Sequence, residues 1–355
     1  MNFSWIRCAS LQKTQYIMSL LPYLISLVSE QNLPAADAEA AMQIILRGEA
    51  SHPQIAAFLI ALKMKGETVD ELVGFARAMR QMAVPVDAGL CGRILLDTCG
   101  TGGDGCNTFN ISTVVAFVVA GAGVYVAKHG NRSISSQCGS ADLLEAWGIP
   151  IDLPPTATAR AIREVGIGFL FAPAVHTAMK HAQPVRVDLK MRTVFNLLGP
   201  LTNPAGATAQ LIGAPSLHAA ELMAGAIAAL GMQRGFVVHG SDGLDEITTT
   251  GPTSAWEIRN GKVEARTLEP GDFAVQSATA EDLRGGDRQV NLQIANAVLA
   301  GVRGPQRDIV LVNAAAALVA AGKAETFLEG MALGVVSIDS GAARGKVEAL
   351  AGFGE

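Results

Sequence analysis

The feature that most constrains the fold is the alternation of short apolar runs with helical segments that begins at Arg93. Helical patterns occupy about 112–120, 140–147 and 216–230. The intervening runs have the length and composition of buried strands: RILLD (93–97), VYVA (124–127), LIGA (211–214) and FVVH (236–239). Strands that alternate with helices predict a mainly parallel sheet covered by helices on both faces.

Residues 35–83 show a different pattern, in which apolar side chains recur three and four positions apart, as on one face of a helix. Gly48 is a stop signal for the first of these helices, and Thr68 with Glu71 predicts a capping box at the start of a later one. The apolar run 17–28 is too short to span a membrane. We expect it to form a buried N-terminal helix, with a processed leader segment as the alternative.

The rest of the chain completes the predicted architecture. Asn260 and Gly261 form a strong turn signal, so an antiparallel hairpin is expected within 255–266. Ala- and Val-rich helical segments fill 290–350. With 355 residues the chain is long enough for two domains. The predicted fold class is α/β, with a small all-helical N-terminal domain and a large α/β domain whose mainly parallel central sheet is flanked by helices.

Charge and cysteine content exclude some functions. The chain has 27 Lys and Arg against 32 Asp and Glu, a formal net charge of −5. Proteins held to nucleic acid by phosphate contacts usually carry a basic balance. The five cysteines are scattered without a CxxC pair or a Cys/His cluster, so no zinc site is expected. Reduced thiols suit a cytoplasmic protein, and we expect neither a nucleic-acid nor a membrane partner.

The stretch DTCGTGGDGCNTFNIST (97–113) follows the first predicted strand and carries the strongest functional signal. Its glycines allow backbone N–H groups to face an anion at close range. Ser112 or Thr113 can cap a helix whose N-terminus attracts negative charge. A dinucleotide site wants an acid about 20 residues on, and a Walker loop needs Gly-Lys-Ser/Thr, and both are missing. A phosphate-binding loop is therefore favoured over a purely structural turn.

Two further loops are predicted to reach the same carboxyl edge of the sheet, where α/β proteins bind ligands. KHGNR (128–132) follows VYVA directly, and Lys128 offers a point charge for phosphate. Asp242, Asp245 and Glu246 follow FVVH, and acids crowded together favour a cation such as Mg²⁺. Taken alone, the first loop could be a solvated basic turn and the second a surface acidic turn. Together they indicate a Mg²⁺–polyphosphate site.

Four stretches together resemble the anthranilate phosphoribosyltransferase family of tryptophan biosynthesis. They are GTGGDGCNTFNIST (100–113), KHGNRSISSQCGSADLLEAWG (128–148), RTVFNLLGPLTNPA (192–205) and HGSDGLDE (239–246). The resemblance covers nearly all of the chain from about residue 35, and the third stretch separates this family from its relatives. It implies transfer of the 5-phosphoribosyl group of phosphoribosyl pyrophosphate (PRPP) to the amine of anthranilate, with release of pyrophosphate.

The resemblance also implies which residues bind which ligand. PRPP would be bound by Gly100, Thr101, Gly102, Gly103, Asp104, Thr108, Asn110, Ile111, Ser112, Thr113, Lys128, His129, Gly130, Asn131, Ser136 and Ser140. Mg²⁺, at two ions per site, would be held by Ser112, Asp245 and Glu246. Anthranilate would be bound by Gly100, His129, Asn131, His176 and Arg186. Arg186 would pair with the anthranilate carboxylate.

Family members are typically homodimers with a discontinuous small domain. The resemblance therefore implies that residues 1–85 and a returning segment at about 176–195 form a small helical domain, which supplies dimerisation and the acceptor side. Residues 90–175 and 196–355 would form the large phosphoribosyl-binding domain. A hinge between the two domains would close over the site.

The acceptor segment departs from the family pattern. Thr177 stands where HPAMK is usual, and the usual P-x-R-R/K-x-[LI]-G loses one basic residue and ends at Lys190 instead of glycine. These changes concern the choice of acceptor and leave PRPP binding untouched. An aromatic amine is neutral at pH 7, so no residue is assigned as an acid or base. Lys128 and Mg²⁺ would instead stabilise the leaving pyrophosphate electrostatically.

Two other functions fit the same architecture. A pyrimidine nucleoside phosphorylase-like enzyme would bind inorganic phosphate and a nucleoside, and it would not need the acidic motif that ends at Glu246. A non-catalytic relative that binds nucleic acid is disfavoured by the acidic balance and by the intact DGLDE motif (242–246).

Overall fold

The structure is a computed structural model that describes residues 19–133 and 137–354. Helices come first, strands and helices then alternate, and helices end the chain. The α-helices are α1 (Leu21–Val28), α2 (Ala35–Leu46), α3 (His52–Lys65), α4 (Val69–Met82), α5 (Ile111–Gly121), α6 (Ser140–Ala146), α7 (Pro155–Glu164), α8 (Ala172–Val175), α9 (Gln183–Leu189), α10 (Phe195–Leu198), α11 (Leu217–Ala229), α12 (Arg288–Leu299), α13 (Pro305–Ala320), α14 (Phe327–Asp339) and α15 (Ala342–Ala351). Short 3₁₀ helices span Thr177–His181, Pro200–Thr202 and Pro270–Phe273.

The strands of the described residues form one seven-stranded sheet in the order β3-β2-β1-β4-β5-β6-β7. They are β1 (Leu95–Asp97), β2 (Tyr125–Gly130), β3 (Ile167–Phe171), β4 (Ala209–Gly213), β5 (Arg234–Gly240), β6 (Thr253–Arg259) and β7 (Lys262–Leu268). Strands β1 to β5 pair in parallel, and β6 and β7 are antiparallel additions at one edge. The predicted α/β class with a mainly parallel sheet is confirmed.

The helical segments and the hairpin form where the sequence predicted them. Thr68 and Glu71 make the capping box at the start of α4, with the Thr68 N–H donating to Glu71 Oε2 over 2.9 Å. Gly48 follows α2 with a left-handed φ of 74°. Asn260 and Gly261, with φ angles of 52° and 77°, both adopt the positive φ that a two-residue hairpin turn between β6 and β7 requires.

Two large hydrophobic clusters lie on the two sides of the sheet. One packs α5, α13 and the C-terminal helices against the strands. The other joins α1–α4 to α11 and to the returning segment, which contributes Val185 and Phe195. A small helical domain thus precedes a larger α/β domain. The finer division, with 176–195 assigned to the small domain, stays a prediction.

Three local details differ from the sequence-based expectation. Helix α1 is less buried than expected, because Ile25 is 58% exposed and Val28 is 69% exposed. Strand β2 continues through Lys128, so the KHG residues belong to the strand and not to the following loop. Helix α5 begins at Ile111 after Asn110, one residue before the predicted caps. No helix within 19–133 and 137–354 combines the length and apolar character that crossing a bilayer requires.

Candidate active site

The candidate site lies at the carboxyl edge of the sheet, where β1 has β2 on one side and β4 on the other. Such a point, at which successive connections leave in opposite directions, opens the crevice where α/β sheets bind ligands. The glycine-rich segment follows β1 at this edge, Lys128 and His129 lie near the end of β2, and the acidic loop follows β5. Three segments singled out in the sequence therefore share one edge.

The glycine-rich segment is fixed in place through its own backbone. The Thr101 N–H donates to the carbonyl oxygen of Gly213, at the end of β4, over 3.0 Å. The Gly102 N–H donates to Asp245 Oδ2 over 2.7 Å. Gly102 and Gly103 have φ angles of 67° and 69°, in the left-handed region that favours glycine. This backbone path accounts for the adjacent glycines.

Gly213 is a residue of the site that the sequence analysis overlooked. A Cβ atom at this position would overlap the backbone oxygen of Asp245. Only glycine therefore lets the acidic loop lie directly against the end of β4. The available signal was a glycine that interrupts the apolar run LIGA, since glycine in a strand often marks the close approach of another backbone.

Three carboxyl groups meet beside the glycine-rich segment. The Asp245 N–H donates to Asp104 Oδ2 over 3.3 Å. Burial, together with the neighbouring Asp104 carboxylate, raises the pKa of Asp245 to about 7. Burial and the charge of Asp245 raise the pKa of Glu246 well above its ordinary value. Neighbouring carboxylates that are partly shielded from water destabilise one another unless a proton or a cation compensates them.

Lys128 places a positive charge near these carboxyl groups. Its side chain is buried, and Nζ donates to the Thr98 carbonyl oxygen over 3.2 Å and to Ser112 Oγ over 3.4 Å. Ser112 lies in the first turn of α5, and its backbone acts to lower the pKa of the nearby Glu246 carboxyl. A negative group near the N-terminus of α5 is favoured by the helix dipole.

The donor set fits a magnesium ion. Ser112, Asp245 and Glu246 offer a hydroxyl and carboxylate oxygens, the hard ligands that Mg²⁺ prefers. The raised pKa values of Asp245 and Glu246 are the mark of a site that a divalent cation would stabilise. By contrast, Asp242 is used by its own loop, because its Oδ2 accepts hydrogen bonds from the Thr248 and Thr250 hydroxyls, each over 2.7 Å.

Asp97 holds these loops in place through hydrogen bonds, and the sequence analysis did not single it out. It is fully buried, its Oδ1 accepts the His129 N–H over 3.2 Å, and its Oδ2 accepts Asn203 Nδ2 over 2.7 Å. Burial raises the pKa of Asp97 to about 6, although the Lys128 charge acts against this rise. Asp97 therefore ties the ends of β1 and β2 to the RTVFNLLGPLTNPA stretch. An acid that ends an apolar strand was the available signal.

His129 and His176 form a second, uncharged part of the site. Their ring centroids are 5.1 Å apart. His129 Nδ1 lies 3.1 Å from the Gly199 carbonyl oxygen, which can only accept, so Nδ1 carries the proton. Neither Nε2 atom has a hydrogen-bond partner among the described residues, although both are buried. Burial lowers the pKa of His129 to about 3 and that of His176 to about 4, so both rings are neutral.

Arg186 lies on α9, in the returning segment. Its Nη1 donates to Gln183 Oε1 over 3.3 Å, and its guanidinium carbon lies 5.3 Å from the centroid of the Phe195 ring. Burial lowers the pKa of the Arg186 guanidinium from its ordinary value. Arg186 is therefore a partly buried cation that makes no ion pair among the residues described.

Arg192 is a further cation that the sequence analysis did not single out. Its Nη1 donates to the Gly103 carbonyl oxygen over 2.6 Å, and its Nη2 donates to the Gly102 carbonyl oxygen over 3.1 Å. These two bonds join the returning segment to the glycine-rich segment, 89 and 90 residues away in sequence. Arginine at the start of the RTVFN stretch was visible in the sequence, but nothing local indicated its partner.

Several residues predicted to bind PRPP are instead buried or hydrogen-bonded within the protein. Ile111 and Thr113 have buried side chains within α5. Asn110 Nδ2 donates to the Cys138 carbonyl oxygen over 2.9 Å, and Asn110 Oδ1 accepts from Asn291 Nδ2 over 3.0 Å. The Asn110 side chain is therefore held by the loop before α6 and by α12. Asn291 is another supporting residue that the sequence analysis missed, because its contact spans 181 residues.

The loop after β2 closes on itself. The Asn131 N–H donates to Ser140 Oγ over 3.2 Å, and this hydroxyl donates to the Asn131 carbonyl oxygen over 3.1 Å. Gly130 ends β2 beside the same hydroxyl. Thr108 forms an isolated antiparallel bridge to the segment that precedes α12. Ser136, also predicted to bind PRPP, lies outside the described residues.

A separate groove of about 690 Å³ lies away from these motifs, between the β6–β7 hairpin and the start of α14. Arg259, Lys262 and Arg266 line it. Two of these cations already have an ion-pair partner, because Arg259 and Arg266 both pair with Glu257, over 3.1 and 2.6 Å. The groove lacks the glycine-rich backbone and the buried acids, so it is a weaker candidate for a phosphorylated ligand.

Comparison with known proteins follows the same division of the chain. Residues 21–83 match the family described as "Glycosyl transferase family, helical bundle domain". Residues 92–344 match the one described as "Glycosyl transferase family, a/b domain". The chain is 83% identical over 336 residues to anthranilate phosphoribosyltransferase of Solibacter usitatus, covering 95% of this chain and 99% of that protein. It is 55% identical over 328 residues to the Moorella thermoacetica enzyme of the same name, covering 92% and 96%.

Solved structures of the same family are also similar to this chain. The crystal structure of anthranilate phosphoribosyltransferase from Thermus thermophilus superposes with a TM-score of 0.88 at 43% identity, covering 93% of this chain and 98% of that one. The Saccharomyces cerevisiae enzyme in complex with PRPP and Mg superposes with a TM-score of 0.85 at 28% identity, covering 93% and 97%. These similarities favour the phosphoribosyltransferase over the phosphorylase and nucleic-acid alternatives.

Proposed function

This chain belongs to the anthranilate phosphoribosyltransferase family of glycosyl transferases, and we propose that the cleft at the β1–β4 switch point carries out that transfer. One observation carries the proposal. A glycine amide, a buried lysine and two acids, one buried and one half-buried, converge at one sheet edge. These residues are Gly102, Lys128, Glu246 and Asp245. Such a combination of groups can bind a diphosphate together with a metal ion.

In the proposed site, PRPP lies along the glycine-rich segment from Gly100 to Asp104. The backbone N–H groups of this segment that are not already bonded to Gly213 or Asp245 bind the diphosphate, and Lys128 adds a positive charge that is buried and therefore little screened. Asp97 holds the end of β2 in place below the site through the His129 N–H. Complexes of the S. cerevisiae relative with PRPP and Mg support this assignment.

Mg²⁺ is the proposed cofactor, at two ions per site, held by Ser112, Asp245 and Glu246. The buried acids with raised pKa values support it, as does the S. cerevisiae relative described with Mg bound. When bound, the ion would supply positive charge to the departing diphosphate. The chain's own residues contribute the ligand oxygens and the backbone contacts that fix the acidic loop.

Anthranilate is proposed to bind on the side of His129, His176 and Arg186. Arg186 would make a bidentate pair with the carboxylate. With its proton on Nδ1, His129 has an unprotonated Nε2 that can accept a hydrogen bond from the anthranilate amine. Complexes of the S. cerevisiae relative with 4-fluoroanthranilate support an acceptor of this shape. Gly100 and Asn131 would complete the acceptor side.

The chemistry needs no strong base. The neutral amine nitrogen forms a bond to C1 of the ribose while the bond from C1 to the pyrophosphate oxygen breaks. The nitrogen is strongly acidic once the bond has formed, so it passes its extra proton to water without help from a strong base. The residues contribute by binding and orienting the two substrates, which can lower the barrier by several kcal/mol, and by stabilising the charge on the leaving group.

A homodimer is proposed as the working assembly, with the small domain at the interface and a cytoplasmic location. Leu21, Ile25 and Val28 support the interface. They recur four and three positions apart on α1, and they are 49%, 58% and 69% exposed. An apolar helix face of this kind favours burial against a second copy. The oligomeric state can be measured by sedimentation.

A fluorescence assay that follows anthranilate consumption with PRPP and Mg²⁺ tests the proposed function. We expect activity that disappears with EDTA and returns when Mg²⁺ is added in excess. Full turnover in metal-free buffer would contradict the metal site. Phosphorolysis of thymidine without PRPP turnover would instead support the phosphorylase alternative.

A further inference from the structure

Arg192 makes the contact between the acceptor side and the diphosphate side that the proposed function does not explain. Its guanidinium donates to two carbonyl oxygens in succession, at 2.6 Å from Gly103 and 3.1 Å from Gly102. A planar guanidinium can make two parallel bonds of this kind, whereas a lysine ammonium presents a single point charge. The arrangement therefore needs arginine specifically.

Gly102, the first of these two glycines, is also held by the acidic loop. Asp245 Oδ2 accepts the Gly102 N–H over 2.7 Å, while Arg192 binds the Gly102 carbonyl. Glycine backbones lose more conformational freedom on ordering than any other residue, and both residues here have left-handed φ angles. Holding the segment from two sides lowers the entropy that is lost when a diphosphate binds, which strengthens binding through pre-organisation.

Arg192 also follows the acceptor-binding helix closely. Arg186 lies on α9, which ends at Leu189, and Lys190 reverses the chain with a left-handed φ of 50°. Thr193 then anchors the chain, because its N–H donates to Asn196 Oδ1 over 3.0 Å. An anthranilate that binds Arg186 would immobilise this short segment and, with it, the guanidinium that holds the glycines.

We propose that Arg192 is a positioning residue that fixes the glycine-rich segment for the diphosphate and transmits acceptor binding to it. The inference rests on the proposed function, because it requires that the diphosphate binds at Gly102–Gly103 and the acceptor at Arg186. The coupling is reciprocal, as it must be between two ligands at equilibrium. Anthranilate should therefore tighten diphosphate binding, and the diphosphate should tighten anthranilate binding by the same factor.

The test is isothermal titration of Mg²⁺–pyrophosphate into the full-length protein, with and without saturating anthranilate. Without the ribose no turnover occurs, so both ligands can be present at equilibrium. In the wild-type protein we expect anthranilate to lower the Kd of Mg²⁺–pyrophosphate about three- to tenfold, a typical size for coupling between sites. Arg192→Ala should weaken pyrophosphate binding about tenfold, the size expected for hydrogen bonds to a charged group, and should abolish the effect of anthranilate.

Two further variants separate positioning from general damage. Arg192→Lys keeps the charge but loses one of the two bonds, so it should restore part of the affinity and part of the coupling. Arg344→Ala is the matched control, because Arg344 is exposed on α15 and pairs only with Glu348 among the described residues. It should match the wild-type protein in both measurements.

Each outcome has a definite meaning. If Arg192→Ala weakens binding but leaves the anthranilate effect intact, or changes neither, Arg192 does not couple the two sites and the inference is wrong. Equal losses in Arg192→Ala and Arg344→Ala would also overturn it. If the wild-type protein does not bind Mg²⁺–pyrophosphate at all, the proposed diphosphate site itself is wrong, and the inference falls with it.

Discussion

The polar groups at the proposed diphosphate end of the cleft are already bonded to one another, whereas the buried imidazoles at the proposed acceptor end have Nε2 atoms without a partner among the described residues. At the diphosphate end, Gly102, Asp245 and Lys128 are fixed by hydrogen bonds between 2.7 and 3.4 Å. At the acceptor end, His129 and His176 are neutral, and Arg186 makes one long side-chain bond of 3.3 Å. The first end combines several charged groups that are bonded to one another, and the second combines two neutral imidazoles with a single cation.

The difference follows from the two substrates. A metal-bound diphosphate carries high charge and is best stabilised by groups fixed in advance, which need no reorganisation when charge develops. Anthranilate is a flat ring with one carboxylate and one neutral amine, so it needs shape, one cation and one acceptor. The substitutions Thr177 and Lys190 fall at the second end, where fewer protein–protein bonds constrain the structure. Changes there should alter acceptor choice before they alter PRPP binding.

The largest expected effect lies at the charged end. Lys128→Met should lower kcat/KM for PRPP about a thousandfold, because removing one fixed electrostatic stabiliser typically costs about 3–4 kcal/mol of transition-state stabilisation. The KM for anthranilate should change little. Steady-state kinetics with each substrate varied in turn provide the measurement. Lys262→Met, in the separate groove, is the control. A loss of kcat/KM below tenfold for Lys128→Met would show that Lys128 does not stabilise the leaving group.

The contributions of the two ends to the free energy of unfolding should change with pH in opposite directions. His129, with a folded pKa of about 3, stays neutral while the unfolded chain takes up a proton below about 6.5, so its contribution to stability falls as pH decreases. Asp245, with a folded pKa of about 7 in the absence of metal, keeps a proton that the unfolded chain loses above about 3.8, so its contribution falls as pH increases. Each effect should be on the order of 3 kcal/mol.

Chemical denaturation between pH 4 and 8 in metal-free buffer measures this contrast. The difference in unfolding free energy between wild type and His129→Gln should rise with pH up to about 6.5 and then level off. The difference between wild type and Asp245→Asn should fall over pH 4 to 7. If both differences changed with pH in the same direction, the two ends would not be electrostatically distinct.

A smaller effect on kinetics is expected from Arg186, the single cation of the acceptor end. Arg186→Ala should raise the KM for anthranilate about 30- to 100-fold, because it removes a bidentate pair to a carboxylate. The KM for PRPP should change less than threefold. Arg186→Lys should recover part of the loss. Equal increases in both KM values would mean that Arg186 does not distinguish the two ends.

The smallest effect concerns the support of the charged end. Asn291→Ala leaves Asn110 Oδ1 and the Gly286 N–H without their partner, and it should lower the free energy of unfolding by about 1–3 kcal/mol. The KM for PRPP should rise severalfold, with no change for anthranilate. Thermal unfolding and kinetics measure the two consequences. Gln289→Ala, exposed on the same helix, is the control.

Sequence reasoning could predict the fold because its signals are local. Strand runs, the Thr68–Glu71 capping box and the Asn260–Gly261 turn each act within a few residues, and the structure confirms them. The end of β2, the start of α5 and the exposure of α1 were less well predicted, because strand pairing and tertiary packing decide such boundaries.

The supporting residues of the site could not be predicted for the opposite reason. Arg192, Asp97 and Asn291 act on partners 89, 106 and 181 residues away, and no spacing within the sequence encodes such pairs. Gly213 matters only because the Asp245 backbone lies where its side chain would be. The contiguous motifs predict which segments face the ligands, while the tertiary structure reveals what holds those segments in place.

The central claim is that a metal-bound diphosphate sits between the glycine-rich segment and the Asp245–Glu246 pair. Crystals grown with Mn²⁺ in place of Mg²⁺ and with pyrophosphate allow the ion to be located by anomalous scattering. The account predicts a peak at about 2.2 Å from carboxylate oxygens of this pair, with pyrophosphate against Gly102 and Lys128. A peak or pyrophosphate density in the groove lined by Arg259 and Lys262, with none at the sheet edge, would contradict it.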